Sequence, residues 1–125
     1  MLFDTDVLVW ALRGNRKAGR VIDAADDRQI SIINYMELLQ GARNKSELKT
    51  IQNFLIEYFA PVLPLNESIG HRALVYLEEY GLQSGLCVAD ALIAATAVEN
   101  RLTLCTANQK HYKVIADLAL RIFRP

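Results

Sequence analysis

Three acidic side chains stand where the surrounding sequence is composed for burial: Asp4 closes Met1-Leu2-Phe3, Glu37 lies in Tyr35-Met36-Glu37-Leu38-Leu39, and Asp90 interrupts Cys87-Val88-Ala89-Asp90-Ala91-Leu92-Ile93. An ionised carboxylate removed from water without compensation is costly, or its pKa rises until it is neutral. A fold that keeps three such groups is expected to gather them around something positive, and a divalent metal ion is the simplest such partner. Carboxylate oxygens suit hard magnesium or manganese. A zinc site would call for clustered imidazole and thiolate, which this chain does not offer.

The elements that must bring these acids together follow from periodicity. Apolar, β-branched runs alternate with segments of helical spacing, the pattern of an α/β domain with a central, mostly parallel sheet of four or five strands. Met1 to Asp4, Gln29 to Ile33, Val62-Leu63, Leu102 to Cys105 and Leu118 to Phe123 read as strands. Helices are expected over Val7 to Leu12, around Ala18 to Ala25, from an Asn34 cap to Arg43, from Ser46 through Tyr58, from an Asn66 cap through Tyr80, and around Asp90. Gly81 and Gly85 mark a loop, and Thr106 to His111 a loop or helix start. Asp4 and Glu37 then fall at or just beyond the carboxyl ends of strands, where open α/β sheets place their ligand crevices.

At 125 residues and 52% hydrophobic, the chain is sized for one core, and a single domain over 1–125 is expected. Fourteen basic residues balance fourteen acidic ones, so a nucleic-acid partner must be held by a local patch rather than by the field of the whole molecule. Arg13, Arg16, Lys17 and Arg20 are the densest basic stretch, with Arg43, Lys45, Lys49, Lys110 and Lys113 as further candidates for phosphate contacts, although any one of them reads more readily as solvated surface. Cys87 and Cys105 lie in apolar segments without metal-binding spacing, which fits reduced thiols in a cytoplasmic core. Neither a signal peptide nor a membrane span is expected.

Four blocks of residues, in order, resemble the PIN-domain ribonucleases. They are Asp4-Thr5-Asp6 after an apolar strand, Asn34-x-x-Glu37-Leu38-x-x-Gly41, Gly85-Leu86-x-x-Ala89-Asp90-x-x-Ile93-Ala94-Ala95, and Leu104-x-Thr106-x-Asn108-x-x-His111-Tyr112. Their order and spacing are most similar to the VapC-type toxins of toxin-antitoxin pairs. The resemblance implies a three-layer α/β/α domain and a magnesium-dependent endoribonuclease, with manganese as substitute. It also implies a homodimer and inhibition by a cognate antitoxin. Carried onto this sequence, Asp4, Glu37 and Asp90 would hold the ion, while Asn108 and Thr106 would position water or phosphate.

Each residue also has a plainer role open to it. Asp4 can close a turn or cap a helix, Asn34-x-x-Glu37 has the spacing of a capping box, and Asp90 can serve near a helix start. Thr106 can cap a strand end, and His111 can be structural. The chain departs from many relatives at two places: Asp6, where Asn is frequent, and Asn108, where a fourth acid is frequent. Asp6 can cap the first helix or add charge to the site, and Asn108 can donate an amide oxygen but no charge. Two other readings stay open, a PIN-like RNA- or partner-binding module with weakened catalysis and a phospho-acceptor receiver domain. The second lacks an acceptor acid after its third strand, since no Asp occurs between Asp27 and Asp90.

Overall fold

The computed structural model describes residues 1–59 and 61–125. In chain order its elements are β1 (Leu2–Phe3), α1 (Thr5–Leu12), α2 (Arg16–Ala24), β2 (Ile30–Ser31), α3 (Ile32–Gln40), α4 (Lys45–Tyr58), β3 (Val62–Leu63), α5 (Glu67–Ser84), α6 (Val88–Glu99), β4 (Leu104–Thr106), α7 (Gln109–Tyr112) and β5 (Leu120–Ile122). β1 pairs with β4 and β4 with β5, while β2 pairs with β3, every pair parallel. The two pieces meet at a bridge between Leu2 and Gln29. Five short parallel strands therefore run in the order β3-β2-β1-β4-β5, with crossovers made by helices as parallel pairing requires.

Alternation along the strands sends neighbouring side chains to opposite faces of the sheet. Leu2 and Leu104 join the core made with α5, α6 and α7, where Ile69, Ala73, Ile93 and Tyr112 are buried. Phe3 and Cys105 join the core made with α1 to α4, where Val7, Ile22, Leu38 and Leu55 are buried. Two cores, one on each face, make the three-layer α/β/α architecture that the sequence pattern predicts. With both faces covered, β1 carries apolar residues without polar alternation, whereas the edge strand β5 sets exposed Arg121 between half-buried Leu120 and Ile122.

Helix ends follow the local chemistry. Asn15, Asn44 and Asn66 each accept a hydrogen bond at their side-chain oxygen from the backbone N–H three residues on, at 2.9, 2.8 and 2.9 Å, which satisfies one of the free donors of the first turn. α5 runs straight through Gly81, correcting the expectation of a loop there. It ends at Gly85, whose φ of 72° is the left-handed conformation that glycine adopts without a Cβ clash.

α3 departs most from its expected form. Its N-cap is Ser31, not Asn34, so β2 ends at Ser31 and the helix begins at once. Ile32 and Ile33 are β-branched and read as strand, but the Ser31 cap overrides that preference. The helix stops at Gln40, short of Arg43. Cys105 is buried as expected, but Cys87 is exposed, and both are free thiols.

Candidate active site

β1 ends by delivering Asp4 to the carboxyl edge of the sheet, where its backbone N–H bonds to the Cys105 carbonyl at 2.9 Å. Asp4 is the N-cap of α1, its Oδ1 accepting from the Thr5 N–H at 2.9 Å. The plainer capping role is therefore real, but it uses one oxygen. Oδ2 takes the Thr106 hydroxyl from the end of β4 at 2.7 Å. The side chain is buried, and its pKa is pushed up from 3.8 to about 7, first by burial and then by the charge of Asp6, with Thr106 and Thr5 opposing.

Asp6, one half-turn further along α1, faces the same place. Its Oδ2 accepts from the Ala107 N–H at 3.1 Å and lies 3.4 Å from the Thr106 hydroxyl. Its pKa is also raised, mainly by burial and in part by the charge of Asp90. Asp4, Asp6 and Asp90 thus repel one another across a common space.

Glu37 reaches this edge through a polar chain. Ser31 bonds to the side-chain oxygen of Asn34 through both its N–H (2.9 Å) and its hydroxyl (2.7 Å). The Asn34 amide then donates to the Thr5 hydroxyl at 3.0 Å, and Thr5 donates to Glu37 Oε1 at 2.7 Å. The capping box at this helix joins Ser31 and Asn34, so Glu37 is released from the capping role that the Asn34-x-x-Glu37 spacing allows. Asn34 is fully buried, and its polar groups are spent on this chain, as burial demands. Thr5 and Asn34 are positioning residues that the sequence does not single out as such. The signals available are Thr5 between two acids and Asn34 as the polar residue within Ile32-Ile33-Asn34-Tyr35-Met36.

Asp90 sits in the first turn of α6 and not in the helix interior. Its Oδ2 accepts from the Cys87 N–H at 3.3 Å and the Cys87 thiol at 3.1 Å, so it closes the helix start. The same oxygen lies 3.2 Å from His111 Nδ1, and Oδ1 accepts from the Tyr112 hydroxyl at 3.3 Å. α7 therefore supplies partners that the helix spacing around Asp90 does not reveal. Burial, with the charges of Asp4 and Asp90, holds the Tyr112 pKa far above its ordinary value, so it remains a hydroxyl donor.

Asn108 turns its amide to His111, Nδ2 to Nδ1 at 2.9 Å, while its backbone N–H donates to Thr106 Oγ1 at 3.0 Å. His111 Nδ1 serves one neighbour at a time: protonated it donates to Asp90, unprotonated it accepts from Asn108.

Among the described residues, no three His, Cys, Asp or Glu side chains stand close enough to hold a metal ion as they are oriented. Each acid instead takes donors from nearby elements. The donor set nevertheless fits a hard cation. Asp6 Oδ1 is buried with no hydrogen-bond partner, and the arginine ion pairs among the described residues, Arg43–Glu47, Arg72–Glu99 and Arg72–Asp117, involve none of the four acids. Among the described residues the one basic side chain in contact with these acids is His111, at Asp90. An open groove between α1, α3 and α4 runs up to Glu37 and is lined by Val9, Leu12, Leu38, Arg13 and Arg43. It brings together two of the basic residues named from sequence.

The three-layer parallel fold and the acids at its carboxyl edge define a class. The chain belongs to the PIN domain family, whose family model matches residues 1–117. Among solved structures it is similar to a toxin-antitoxin complex from Klebsiella pneumoniae, at 30% identity over 94% of each chain with a TM-score of 0.78. It is also similar to FitAcB from Neisseria gonorrhoeae, at 26% identity over 95% of this chain and 94% of that one with a TM-score of 0.75. VapBC-1 from nontypeable Haemophilus influenzae shares the fold, at 24% identity over 97% and 96% of the two chains with a TM-score of 0.77. The resemblance to VapC-type PIN proteins read from the four sequence blocks is borne out. No curated protein matches the chain. PIN domains are generally nucleases, which makes a hydrolase the activity to expect at this edge of the sheet.

Proposed function

We propose that this chain is the toxin of a toxin-antitoxin pair, a Mg(2+)- or Mn(2+)-dependent endoribonuclease that hydrolyses RNA phosphodiester bonds until a cognate antitoxin binds it. The observation that carries this reading is the gathering of Asp4, Asp6 and Asp90, with Glu37 held toward them, where no arginine or lysine among the described residues neutralises them. Asp4, Glu37 and Asp90 would hold the ion. When bound, a hard divalent cation supplies Lewis-acid polarisation of a phosphate oxygen and makes a water more acidic.

The chain's own groups do the rest. Thr106 fixes the rotamer of Asp4 through Oδ2, and the Ser31-Asn34-Thr5 chain fixes that of Glu37, which is the support that orients ligating carboxylates. Asn108 and His111 flank Asp90 and offer an amide and an imidazole to water or phosphate. The proton of the attacking water passes to a carboxylate of the cluster, since neither a lysine nor a second imidazole bonds to it among the described residues. Arg13 in the groove beside Glu37 favours a polyanion approaching from that side, whereas Arg43 is paired there with Glu47.

The antitoxin reading is supported by the neighbours, which are toxin-antitoxin complexes, VapBC2 from Rickettsia felis being bound to a promoter DNA fragment. Exposed apolar side chains on α5 and α6, Leu74, Leu82 and Val88, support a homodimer acting as one PIN-like unit per chain over 1–125. No helix of the described residues is long and apolar enough to cross a membrane, which accords with a cytoplasmic site of action.

A second reading, an RNA- or partner-binding module with weakened catalysis, draws on the absence of a closed metal-ligand set among the described residues and on the neutral Asn108. Incubating the purified chain with RNA and Mn(2+) separates the two. The expected result is cleavage that EDTA stops and that Asp90→Asn abolishes. RNA binding without cleavage, in wild type and variant alike, would replace the enzyme with the binding module.

A further inference from the structure

We infer that Asp6 is a fourth acid of the metal site, presenting Oδ1 to the ion and supplying the negative charge that Asn108 lacks. The inference rests on the metal-dependent reading above. It starts from a hydrogen-bond deficit. One hydroxyl, Thr106 Oγ1, lies 2.7 Å from Asp4 Oδ2 and 3.4 Å from Asp6 Oδ2, and it has a single proton to give. The shorter contact takes it, so Asp6 keeps the Ala107 N–H on Oδ2; the Val7 N–H also bears on this carboxylate but donates to the Asp4 carbonyl at 3.2 Å, and Oδ1 has no hydrogen-bond partner.

That oxygen has neither solvent nor partner, and it is the one buried side-chain nitrogen or oxygen among the described residues in this condition. A carboxylate oxygen in such a setting is costly to retain unless a ligand completes it. Its surroundings specify the ligand. The charge of Asp6 bears on Asp4 more strongly than that of Asp90 does, and Asp90 in turn bears on Asp6, so the orphan oxygen belongs to the same electrostatic unit as the other acids. A neutral donor could satisfy one oxygen. A proton on Asp4 relieves part of the repulsion, whereas a divalent cation offsets it with all three acids ionised.

Asn108 lies on the same turn that Asp6 touches at Ala107, yet its amide is directed to His111. The extra acid is thus delivered by the first turn of α1, two residues after Asp4, and not by the turn after β4. A purely structural role for Asp6, tying that turn to α1, needs only the acceptor for the Ala107 N–H. Asparagine can provide that acceptor without the charge.

Calorimetric titration of Mn(2+) into the full chain, without RNA and at fixed ionic strength, tests this with wild type, Asp6→Asn and the exposed-site control Asp23→Asn. Wild type and Asp23→Asn are expected to bind alike, and Asp6→Asn about tenfold to a hundredfold more weakly. Its melting temperature in EDTA is expected to be no lower than that of wild type. Wild-type affinity in Asp6→Asn overturns the assignment of Asp6 and leaves the metal-dependent reading standing. Failure of wild type itself to bind Mn(2+) overturns both. Should Asp6→Asn not fold, Asp6→Ser, which keeps an acceptor and removes the charge, gives the same two outcomes.

Discussion

On the outer side of the α5–α6 layer, Arg72 lies between Glu99 at 2.7 Å and Asp117 at 2.8 Å, and Asp117 also accepts from the Tyr76 hydroxyl at 2.9 Å. At the carboxyl edge of the sheet, Asp4, Asp6 and Asp90 converge with Glu37 nearby, and what they receive is hydroxyls, backbone N–H groups, a thiol and one imidazole. Both regions collect carboxylates from distant parts of the chain. The first brings its own cation and is complete; the second stays short of positive charge and carries an unpartnered buried oxygen. Acids that serve the fold come with their counter-charge, whereas acids held against their own repulsion indicate a ligand.

The largest effect should separate the two regions by activity. Asp90→Asn or Asp4→Asn is expected to lower Mn(2+)-dependent RNA cleavage by at least about 100-fold, beyond what loss of a supporting group costs, while Glu99→Gln leaves it unchanged. Cleavage assays on the three variants check this, and equal losses in all three would erase the distinction.

Next in size is a pH effect peculiar to the sheet edge. Burial and the charge of Asp6 raise the folded pKa of Asp4 from 3.8 to about 7, so the native state binds a proton that the unfolded chain releases. The Asp4 contribution to stability without metal is therefore full below about pH 4 and is lost as pH rises through about 7. The change between pH 5 and pH 8 is about 3 kcal/mol from Asp4 alone, and the raised pKa of Asp6 adds to it with the same sign. Urea unfolding in EDTA at the two pH values measures it. Asp4→Asn, which keeps a good N-cap, should remove most of the slope and be more stable than wild type at pH 8. An unchanged slope in that variant would show that Asp4 carries no such strain.

A smaller effect tests the positioning of Glu37. Thr5→Val deletes the donor to Glu37 and the acceptor for Asn34, and is expected to weaken Mn(2+) binding about tenfold while lowering stability by about 1 kcal/mol. Titration and melts on one preparation report both. Smallest is Arg72→Ala. Its ion pairs are partly solvated, so the loss should be about 0.5–1 kcal/mol, with Mn(2+) affinity as in wild type. A drop in affinity here would mean that the two regions are coupled through α6.

How far these features are legible in the sequence depends on the range of the forces behind them. β1, the start of α5 at Asn66, and the strand at Val62-Leu63 follow from local pattern and capping chemistry, and each stands where the sequence puts it. At α3 the local signals compete: Ile32 and Ile33 favour a strand, yet Ser31 and Asn34 form the capping box and start the helix. Gly81 is kept helical because the flanking Tyr76, Leu77 and Tyr80 pack against the core. At the site, the acids themselves stand out because they interrupt apolar runs. Their partners do not, since Thr106 meets Asp4 across a separation of 102 residues and no local pattern records that contact.

The sequence by itself determined the alternation of strands and helices, the two apolar faces of the sheet and the identity of the acids, because burial patterns and caps act over a few residues. Tertiary structure alone decided which oxygens are already spent and which is not. It set Thr106 to serve Asp4 before Asp6, turned Asn108 to His111, and freed Glu37 from capping. Hydrogen-bond competition and charge repulsion between segments far apart in the chain exist only once the sheet has brought those segments together.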